Sequence, residues 1–418
     1  MMLLRFAVSN HLSIRERQEL SLVTSPLKDQ EDGLIRCPPS PSGSVLPAIV
    51  IYGANASGKS NIVDAISAMR NTVMLSHAQG RPGGGVPYIQ PFRLDDEGVS
   101  TPSSFEIDFV LNEVRHHYGF EATANEFIAE WLLDYPMGRV RTLFERDGDQ
   151  FRFGRGLKGR NRIIADLTRP NSLFLSAAAQ NDHETLTSVF SYFANMNGVS
   201  GWSVSGRFAS EVLADEELDQ RVLDFLAQAD TGVVGYRRRE EELSEGEREL
   251  MSKLAELGVR TPPERMSLIE LAHRGAAGDV YLELEHESAG TRRLLVLLAQ
   301  VFEALDSGGL LVVDELDVSL HTEAPQALLD VFCSRDTNPS GAQLIATVHD
   351  TNLLAAPCLR RDQVWFAEKR RDGATESYPL SDIRTRKGDN LERGYLQKRY
   401  GATPRRPLSR AFTHDEAT

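Results

Sequence analysis

The feature that most constrains this chain is a glycine-rich turn between a buried strand and a helix. Residues 48–52 form a continuous apolar run, typical of a strand inside a parallel sheet. Residues 53–60 follow with the pattern G-x-x-x-x-G-K-[ST] and open a helical segment that runs to about Leu75. In such a turn, backbone N–H groups and the positive end of the helix dipole surround phosphates, Lys59 reaches the outer phosphates, and the Ser60 hydroxyl binds Mg²⁺. The pattern therefore predicts a nucleotide-phosphate site formed by Gly53, Asn55, Gly58, Lys59, Ser60 and Asn61.

A phosphate-binding turn of this kind needs a carboxylate for Mg²⁺ at the end of a neighbouring strand. The run Leu310 to Val313 is apolar and ends in Asp314 and Glu315. We expect Asp314 to hold the water shell of the metal ion. Glu315 points to the other face of the strand end, where it can polarise an attacking water as a general base.

Three smaller features indicate further phosphate contacts when they are considered together with these two motifs. Ser288 and Gly290 lie at a strand-to-helix junction, where a hydroxyl and exposed amides bind a phosphate or simply cap the helix. Asp317 and Ser319 follow the acidic pair at a short offset, and His349 ends an apolar run, where it can sense a terminal phosphate.

The order of elements predicts an α/β fold. Two short alternating runs near the N-terminus indicate a hairpin, and several alternating segments after residue 104 predict an antiparallel β lobe. The last third alternates strands and helices, which is typical of a parallel sheet. The predicted elements are strands at Leu4–Val8, Gln18–Val23, Ser104–Leu111, His117–Ala122, Ala129–Asp134, Arg141–Glu145, Ser172–Ser176, Val280–Leu284, Leu310–Val313, Gln343–Val348 and Val364–Glu368, with helices at Ser288–Leu305 and Ala324–Cys333.

Residues 182–274 differ in character, because they are rich in charge and poor in strand signals. We predict a helical insertion here, with a solvated helix over Glu240–Leu257. The chain then divides into an N-terminal half of the head with the β lobe, the insertion, a C-terminal half of the head, and a basic end. The predicted segments are 1–181, 182–274, 275–383 and 384–418.

Composition limits the remaining possibilities. The net charge of −14 argues against a surface that is basic everywhere, although the stretch 384–410 carries nine basic and two acidic residues. That stretch is either a solvated tail or a local contact for nucleic acid. The three cysteines are too few and too widely spaced for a disulfide framework or a zinc site. No apolar run approaches the ~20 residues of a membrane span, so we expect a soluble, cytoplasmic protein without membrane contacts.

The series of motifs resembles that of the ABC-type ATPases of the SMC, RecF and OLD group. The resemblance implies an ABC-type P-loop head that binds ATP with Mg²⁺ and a homodimer, or a larger homo-oligomer, in which two heads enclose the nucleotide. It assigns Ser288 and Gly290 to the γ-phosphate bound by the other subunit, Asp317 and Ser319 to the D-loop, and catalytic roles to Lys59, Glu315 and His349. It also implies a Q-loop glutamine that contacts nucleotide and metal. Gln180 is the first candidate for that role and Gln90 the second.

Shorter motifs resemble more narrowly a bacterial abortive-infection branch of AAA ATP-binding proteins, which includes the ATPase subunit of the PARIS anti-phage system. The segments that carry this resemblance are 6–10, 91–94, 171–176, 287–291, 395–396 and 399–404. It implies a separately encoded effector, often a TOPRIM-type nuclease, and a phage-derived trigger. We expect the effector to dock on residues 182–274.

The chain departs from the group in two places. Its signature is Glu287-Ser288-Ala289-Gly290-Thr291 in place of Leu-Ser-Gly-Gly-Gln, and His11-Leu12 stand where relatives often carry a basic residue. Two other functions therefore stay open. One is a RecF-like DNA-repair ATPase that binds duplex DNA, against which the acidic balance weighs. The other is a scaffold that binds ATP with little hydrolysis.

Overall fold

The computed structural model describes residues 1–199, 217–242, 248, 265–386 and 388–403. The chain divides into two compact units. The first comprises Met1–Ser200, Ala304–Asp317 and Pro325–Thr418, and the second comprises Gly201–Glu303 and Val318–Ala324. The predicted insertion at 182–274 overlaps the second unit over residues 201–274.

The strands of the described residues are numbered in chain order. They are β1 (Met2–Ser9), β2 (Gln18–Ser21), β3 (Ile35–Arg36), β4 (Ser44–Val45), β5 (Ala48–Tyr52), β6 (Ser103–Leu111), β7 (Val114–Ala122), β8 (Phe127–Asp134), β9 (Arg141–Asp147), β10 (Gln150–Phe153), β11 (Met196–Val199), β12 (Val233–Glu242), β13 (Arg265–Gly275), β14 (Gly278–Glu283), β15 (Leu310–Val313), β16 (Gln343–Thr347), β17 (Val364–Lys369) and β18 (Thr375–Pro379).

The helices are numbered in the same way. They are α1 (Lys59–Gln79), α2 (Asp96–Ser100), α3 (Asn161–Leu167), α4 (Phe174–Gln180), α5 (Glu184–Ala194), α6 (Gln220–Gln228), α7 (Ala289–Ser307), α8 (Glu323–Phe332) and α9 (Leu391–Leu396). Short 3₁₀ turns lie at Pro136–Gly138, Leu284–His286, Thr351–Ala355, Arg361–Gln363 and Leu380–Asp382. None of the helices in the described ranges is both long and apolar enough to cross a membrane.

A six-stranded sheet carries the predicted nucleotide motifs. Its order is β11-β15-β16-β5-β17-β18, and all neighbours are parallel except β17 and β18. Every residue of β5, β15 and β16 is buried, which agrees with their uninterrupted apolar sequences. Because β5, β16 and β15 are adjacent and parallel, the residues that follow these three strands lie at the same end of the sheet. The predicted α/β fold with a P-loop strand is confirmed.

A seven-stranded antiparallel sheet forms the predicted β lobe. Its order is β10-β9-β8-β7-β6-β1-β2, so β1 pairs with β2 on one side and with β6 on the other. The opening hairpin and the four alternating segments are therefore confirmed as strands. One face carries a row of fully buried aromatic rings, including Phe105, Tyr118, Phe120 and Phe144. Burial of such large apolar rings stabilises this lobe.

The strand predicted at Ser172–Ser176 is wrong. The chain turns at Leu173 and begins α4 at Phe174. The carboxylate of Glu130 in β8 accepts hydrogen bonds from the amide groups of Phe174 and Leu175, at 2.6 and 2.9 Å, and so satisfies the first turn of the helix. A helix buried on most sides has no polar face, so its short apolar sequence resembles a buried strand.

The helical character predicted for 182–274 is correct for α5 and α6 but wrong for β11, β12 and β13. In the second unit, β12, β13 and β14 form a three-stranded antiparallel sheet. The charged run 237–242 belongs to β12, because its backbone pairs with β13. Arg237 and Arg239 also form ion pairs with Glu270 of β13, and Arg239 with Glu283 of β14. Strand pairing here overrides the local helix propensity. Of the helix predicted over Glu240–Leu257, residues 243–247 and 249–257 lie outside the described residues.

Candidate nucleotide site

The turn after β5 has the backbone of a phosphate-binding loop. Ala56 and Gly58 adopt left-handed conformations, with φ of 61° and 101°. A Cβ on Gly58 would lie 2.0 Å from the hydroxyl oxygen of Thr375, and one on Gly53 would lie 2.4 Å from the carbonyl oxygen of Ala367. Glycine is therefore required at both positions by the packing behind the loop, in addition to any requirement for close approach of a ligand.

Lys59 lies over this loop, at the first position of α1. Its side chain is only 5% exposed, and its Nζ donates to the carbonyl oxygen of Gly53 at 2.8 Å. Burial lowers the pKa of Lys59, and the carboxylates of Asp314, Asp317 and Glu315 act in the opposite direction. The lysine follows β5 and the acids follow β15, so they lie at the same end of the parallel sheet with only β16 between the two strands.

The polar residues of the loop face in two directions. Asn55 and Ser60 are exposed, and their contacts with a nucleotide and its metal ion stay predictions. The side chain of Asn61, in contrast, donates to the Ser13 hydroxyl at 2.5 Å. Its contact with nucleotide stays a prediction.

Two hydroxyl residues that the sequence did not reveal support the loop from behind. Thr375 donates to the carbonyl oxygen of Ser57 at 2.9 Å, and the oxygens of Ser13 and Thr375 lie 2.7 Å apart. Together with Asn61, these groups form a continuous chain of hydrogen bonds that ends on the loop backbone. Ser13 and Thr375 come from opposite ends of the sequence, so no local pattern signals their role.

The acidic pair at the end of β15 is held by the neighbouring strand. Thr347, the last residue of β16, donates its hydroxyl to Asp314 Oδ1 at 2.6 Å, and the backbone N–H of Glu315 donates to the same hydroxyl oxygen at 2.6 Å. Glu315 itself has a φ of 56°. Thr347 is fully buried and was not predicted as a site residue.

His349 and Asp317 complete this edge of the sheet. The Nε2 of His349 lies 3.7 Å from Glu315 Oε1, and about a third of each side chain is exposed. Asp317 Oδ2 accepts the backbone N–H groups of His349, at 2.8 Å, and of Asp350. The other oxygen of Asp317 is buried and has no hydrogen-bond partner among the described residues. The predicted base, D-loop aspartate and strand-end histidine are thus directly connected.

Ser288, Gly290 and Ser319 belong to the second unit. The Ser288 hydroxyl accepts the amide of Thr291 at 3.0 Å, which is the capping interaction of a helix N-terminus. A Cβ on Gly290 would lie 2.5 Å from the carbonyl oxygen of Ser319, and Ser319 has a φ of 63°. The signature residues and the D-loop serine therefore pack on one another.

Gln180 lies at the end of α4, and no described contact connects it to the loop. Helix α4 packs on the far end of α1, where the amide of His77 donates to Ser176 Oγ at 3.2 Å. His77 is about 27 Å along the helix axis from Lys59, at 1.5 Å per residue. The sequence placed Gln180 after a strand, and that context is wrong because α4 is a helix.

Gln90, the second candidate, lies beside the first turns of α1. Its carbonyl accepts the amide of Leu12 at 2.7 Å, and its own amide donates to His11 Nδ1 at 3.4 Å. His11 is fully buried, and its Nε2 lies 3.2 Å from a carboxylate oxygen of Asp64 in α1. The side chain of Gln90 is exposed. The geometry therefore favours Gln90 over Gln180 for the Q-loop role.

The donors at this edge suit a magnesium ion that is bound together with phosphate. Within the described ranges, no cluster of three or more His, Cys, Asp or Glu side chains could hold a metal ion alone. Ser60 and Asp314 supply oxygen atoms, which Mg²⁺ prefers, and the ion usually completes its coordination with substrate phosphates and water. The residues present therefore fit Mg²⁺ bound with a nucleotide.

The solved structures to which the chain is similar are distant in sequence. An Smc head domain with a coiled coil and joint derived from Pyrococcus yayanosii is 10% identical, with a TM-score of 0.38, over 92% of this chain and 99% of that chain. An SmcHead bound to the C-winged helix domain of ScpA is 14% identical, with a TM-score of 0.36, over 91% and 97%. An ATP-binding cassette in a dimeric post-hydrolysis state, bound to ADP and Pi, is 9% identical, with a TM-score of 0.30, over 90% and 98%.

No curated protein sequence matches the chain. One family model does, and it covers residues 48–355. The match begins with β5, the strand before the phosphate-binding loop, and ends just after His349, so it includes every motif of the site. It spans well over half of the chain. The chain therefore belongs to the family described as "AAA domain, putative AbiEii toxin, Type IV TA system".

Proposed function

We propose that this chain binds and hydrolyses ATP as the ATPase subunit of an abortive-infection system directed against phage. The observation that carries the proposal is the placement of Lys59 after β5 and of Asp314 and Glu315 after β15, at the same end of the parallel sheet with only β16 between these strands. A cation and a group of acids at the end of a phosphate-binding loop are the components needed for Mg²⁺-dependent phosphoryl transfer. Family membership supports the ATPase activity and suggests abortive infection.

Each residue has a defined task in this reaction. The loop amides hold the phosphates, and Lys59 exchanges the carbonyl oxygen of Gly53 for the outer phosphate oxygens. When bound by Ser60 and Asp314, Mg²⁺ supplies charge neutralisation of the phosphates. Glu315 accepts a proton from the water that attacks the γ-phosphorus, and the bond to the β-phosphate oxygen breaks to give ADP and inorganic phosphate.

The decisive experiment is the ATPase activity of Glu315→Gln. The amide keeps the shape of the side chain but removes the base, so we expect kcat to fall by about 10²–10³-fold while ATP affinity is retained. Glu145→Gln is the matched control, because Glu145 is an exposed residue of β9. Wild-type turnover by purified Glu315→Gln would contradict the role of this residue as base.

We propose further that the site is completed by a second copy of the chain. In that arrangement Ser288 and Gly290 of one copy contact the γ-phosphate held by the other. This proposal is supported by the position of Ser288 and Gly290 at the N-terminus of a helix. Amide groups at a helix N-terminus can bind a phosphate.

We propose that a separately encoded effector acts on the phage infection, and a TOPRIM-type nuclease is the class we expect. Residues 182–274 are the proposed docking region for this effector. We expect the chain to co-purify with the product of its neighbouring gene and to give phage resistance only in combination with it. Absence of both results would contradict the defence role.

Strong stimulation of ATP hydrolysis by duplex DNA, with a steep dependence on salt, would favour the DNA-repair alternative.

A further inference from the structure

The signature segment 287–291 begins with a buried carboxylate. The side chain of Glu287 is only 6% exposed, whereas the next two residues, Ser288 and Ala289, are exposed. A carboxylate that is removed from water destabilises a fold unless a partner compensates its charge and accepts its hydrogen-bonding demand. Glu287 stands where the pattern Leu-Ser-Gly-Gly-Gln has an apolar residue, so this chain needs a partner that the apolar residue would not require.

That partner is His273, a residue of β13. Its Nε2 lies 2.6 Å from Glu287 Oε1, and 23% of the histidine side chain is exposed. An ionised carboxylate can only accept hydrogen bonds, so Nε2 carries a proton and donates to Glu287. A Cβ on Gly232 would lie 3.5 Å from Nδ1, so the opposite side of the ring packs against the turn before β12. The imidazole is therefore confined between that turn and the carboxylate.

Backbone hydrogen bonds fix the chain on both sides of this pair. The amide of Glu287 donates to the carbonyl oxygen of Leu284 at 3.2 Å, and the carbonyl oxygen of Ser288 accepts the amide of Arg292 at 3.1 Å. Leu284 is buried. The contact between His273 and Glu287 joins the same segment to the three-stranded sheet of the second unit. The segment is thus held from its buried side, and Ser288 is left exposed.

We propose that His273 is a positioning residue for the nucleotide site of a second copy of the chain. By holding Glu287, it fixes Ser288 and Gly290 in the orientation that receives the γ-phosphate bound by the other copy. The pairing also compensates a negative charge one residue away from that phosphate contact. This inference rests on the proposed completion of the site by a second copy, and His273 itself touches no nucleotide.

ATP-dependent dimerisation of the full-length chain tests this role. Glu315→Gln serves as the parent protein because it is expected to retain ATP, and sedimentation equilibrium with saturating ATP and Mg²⁺ gives its dimer dissociation constant. We expect His273→Ala to raise that constant about tenfold, because the unpaired Glu287 carboxylate leaves its buried position and displaces Ser288. His273→Gln keeps an N–H donor near the end of the side chain and should recover most of the affinity.

Two measurements separate this role from general stability. Arg274→Ala, at an exposed position next to His273 in β13, is the control and should leave the dimer constant unchanged. ATP affinity of the monomer should be the same in all variants, because each chain keeps its own phosphate-binding loop. Urea unfolding reports the stability of each variant independently. Lower stability with an unchanged dimer constant would show that His273 is only structural.

A double-mutant cycle shows whether His273 acts through Glu287. Loss of the histidine alone leaves a buried charge unpaired, whereas loss of both partners does not. The protein that carries His273→Ala and Glu287→Ala together should therefore dimerise no more weakly than Glu287→Ala alone. An equal effect of His273→Ala with and without Glu287 would overturn the inference.

The parent protein distinguishes the two ways in which the inference can fail. If Glu315→Gln forms no dimer with ATP, the proposed second-copy site is wrong, and the role of His273 fails with it. If the parent dimerises and His273→Ala has the same dimer constant, the second-copy site stands and only the role of His273 is wrong.

Discussion

At the end of β16, one hydroxyl contacts both carboxylate residues of the second motif. Thr347 donates to Asp314 and accepts the amide of Glu315, each at 2.6 Å. Glu315 has a positive φ, a conformation that costs a non-glycine residue energy unless its surroundings hold it. The bond from its amide to Thr347 is therefore one contact that holds the proposed base in this conformation.

Replacement of Thr347 by valine removes this hydroxyl without changing the volume. The Glu315 amide would lose its partner, and a lost bond of this kind costs about 1–3 kcal/mol, equivalent to a change in rate of about 5- to 150-fold. We expect kcat for ATP hydrolysis to fall by about fivefold or more with a smaller change in KM, while Thr347→Ser keeps most activity. Equal kcat in the valine variant and wild type would show that the hydroxyl does not position Glu315.

The two glutamine candidates can be separated by the same assay. Gln90 lies beside His11 near the start of α1, whereas Gln180 ends a helix that packs on the far end of α1. We therefore expect Gln90→Ala to lower ATP hydrolysis several-fold and Gln180→Ala to leave it unchanged. The reverse pattern would restore the assignment suggested by the sequence.

At the scale of secondary structure, Glu130 shows how one strand fixes the start of a helix. Its fully buried carboxylate accepts the amides of Phe174 and Leu175 and the hydroxyl of Tyr118, the last at 3.0 Å. Burial raises the pKa of Glu130, and the Arg146 guanidinium and the two amides act against that rise. The start of α4 therefore depends on a residue more than forty positions away.

Glu130→Gln should destabilise the protein strongly. The amide side chain has one acceptor oxygen and brings an NH₂ group toward backbone donors, so at least one buried amide loses its partner. We expect a loss of about 2–3 kcal/mol in the free energy of unfolding, visible as a lower urea midpoint at unchanged slope. Glu145→Gln, on an exposed position of the adjacent strand, should have no such effect.

Dependence on residues distant in sequence explains which elements could be predicted and which could not. β5, β15 and β16 are buried on both faces, so their apolar runs identified them without tertiary information. The start of α4 and the strand character of β12 depend on partners distant in sequence, and local propensity indicated the wrong structure for both. In the site, the two motifs were visible because phosphate binding demands a fixed spacing. Ser13, Thr347 and Thr375 act through single hydroxyls at positions set only by the fold.

At the scale of the molecule, both ends of the chain contribute to the nucleotide loop. Ser13 and Thr375 contact one another and the loop backbone. Tyr395 of α9 packs against Tyr52, with ring centroids 5.9 Å apart, immediately before the loop begins. Part of the basic C-terminal stretch is thus folded against the sheet, whereas residues 404–418 lie outside the described residues. Truncation at either end would therefore be expected to impair nucleotide binding.

The proposed assembly of two copies can be tested separately from the chemistry within one site. If each ATP site combines the loop of one copy with Ser288 of the other, Ser288→Arg blocks the γ-phosphate position of its neighbour, while Lys59→Ala weakens its own loop. Each pure variant should be inactive. Mixing them in equal amounts gives half mixed dimers, each with one intact and one doubly damaged site, so activity should return to about a quarter of wild type.

Ser288→Ala separates this effect from simple loss of the helix cap. It removes the hydroxyl that accepts the Thr291 amide, a change worth about 1 kcal/mol in stability, but it does not fill the phosphate position. We expect it to retain far more activity than Ser288→Arg. Subunit exchange is verified by tagging one variant and recovering the other with it. If exchange is complete and mixed dimers stay inactive, the sites either are completed within one chain or must hydrolyse ATP together.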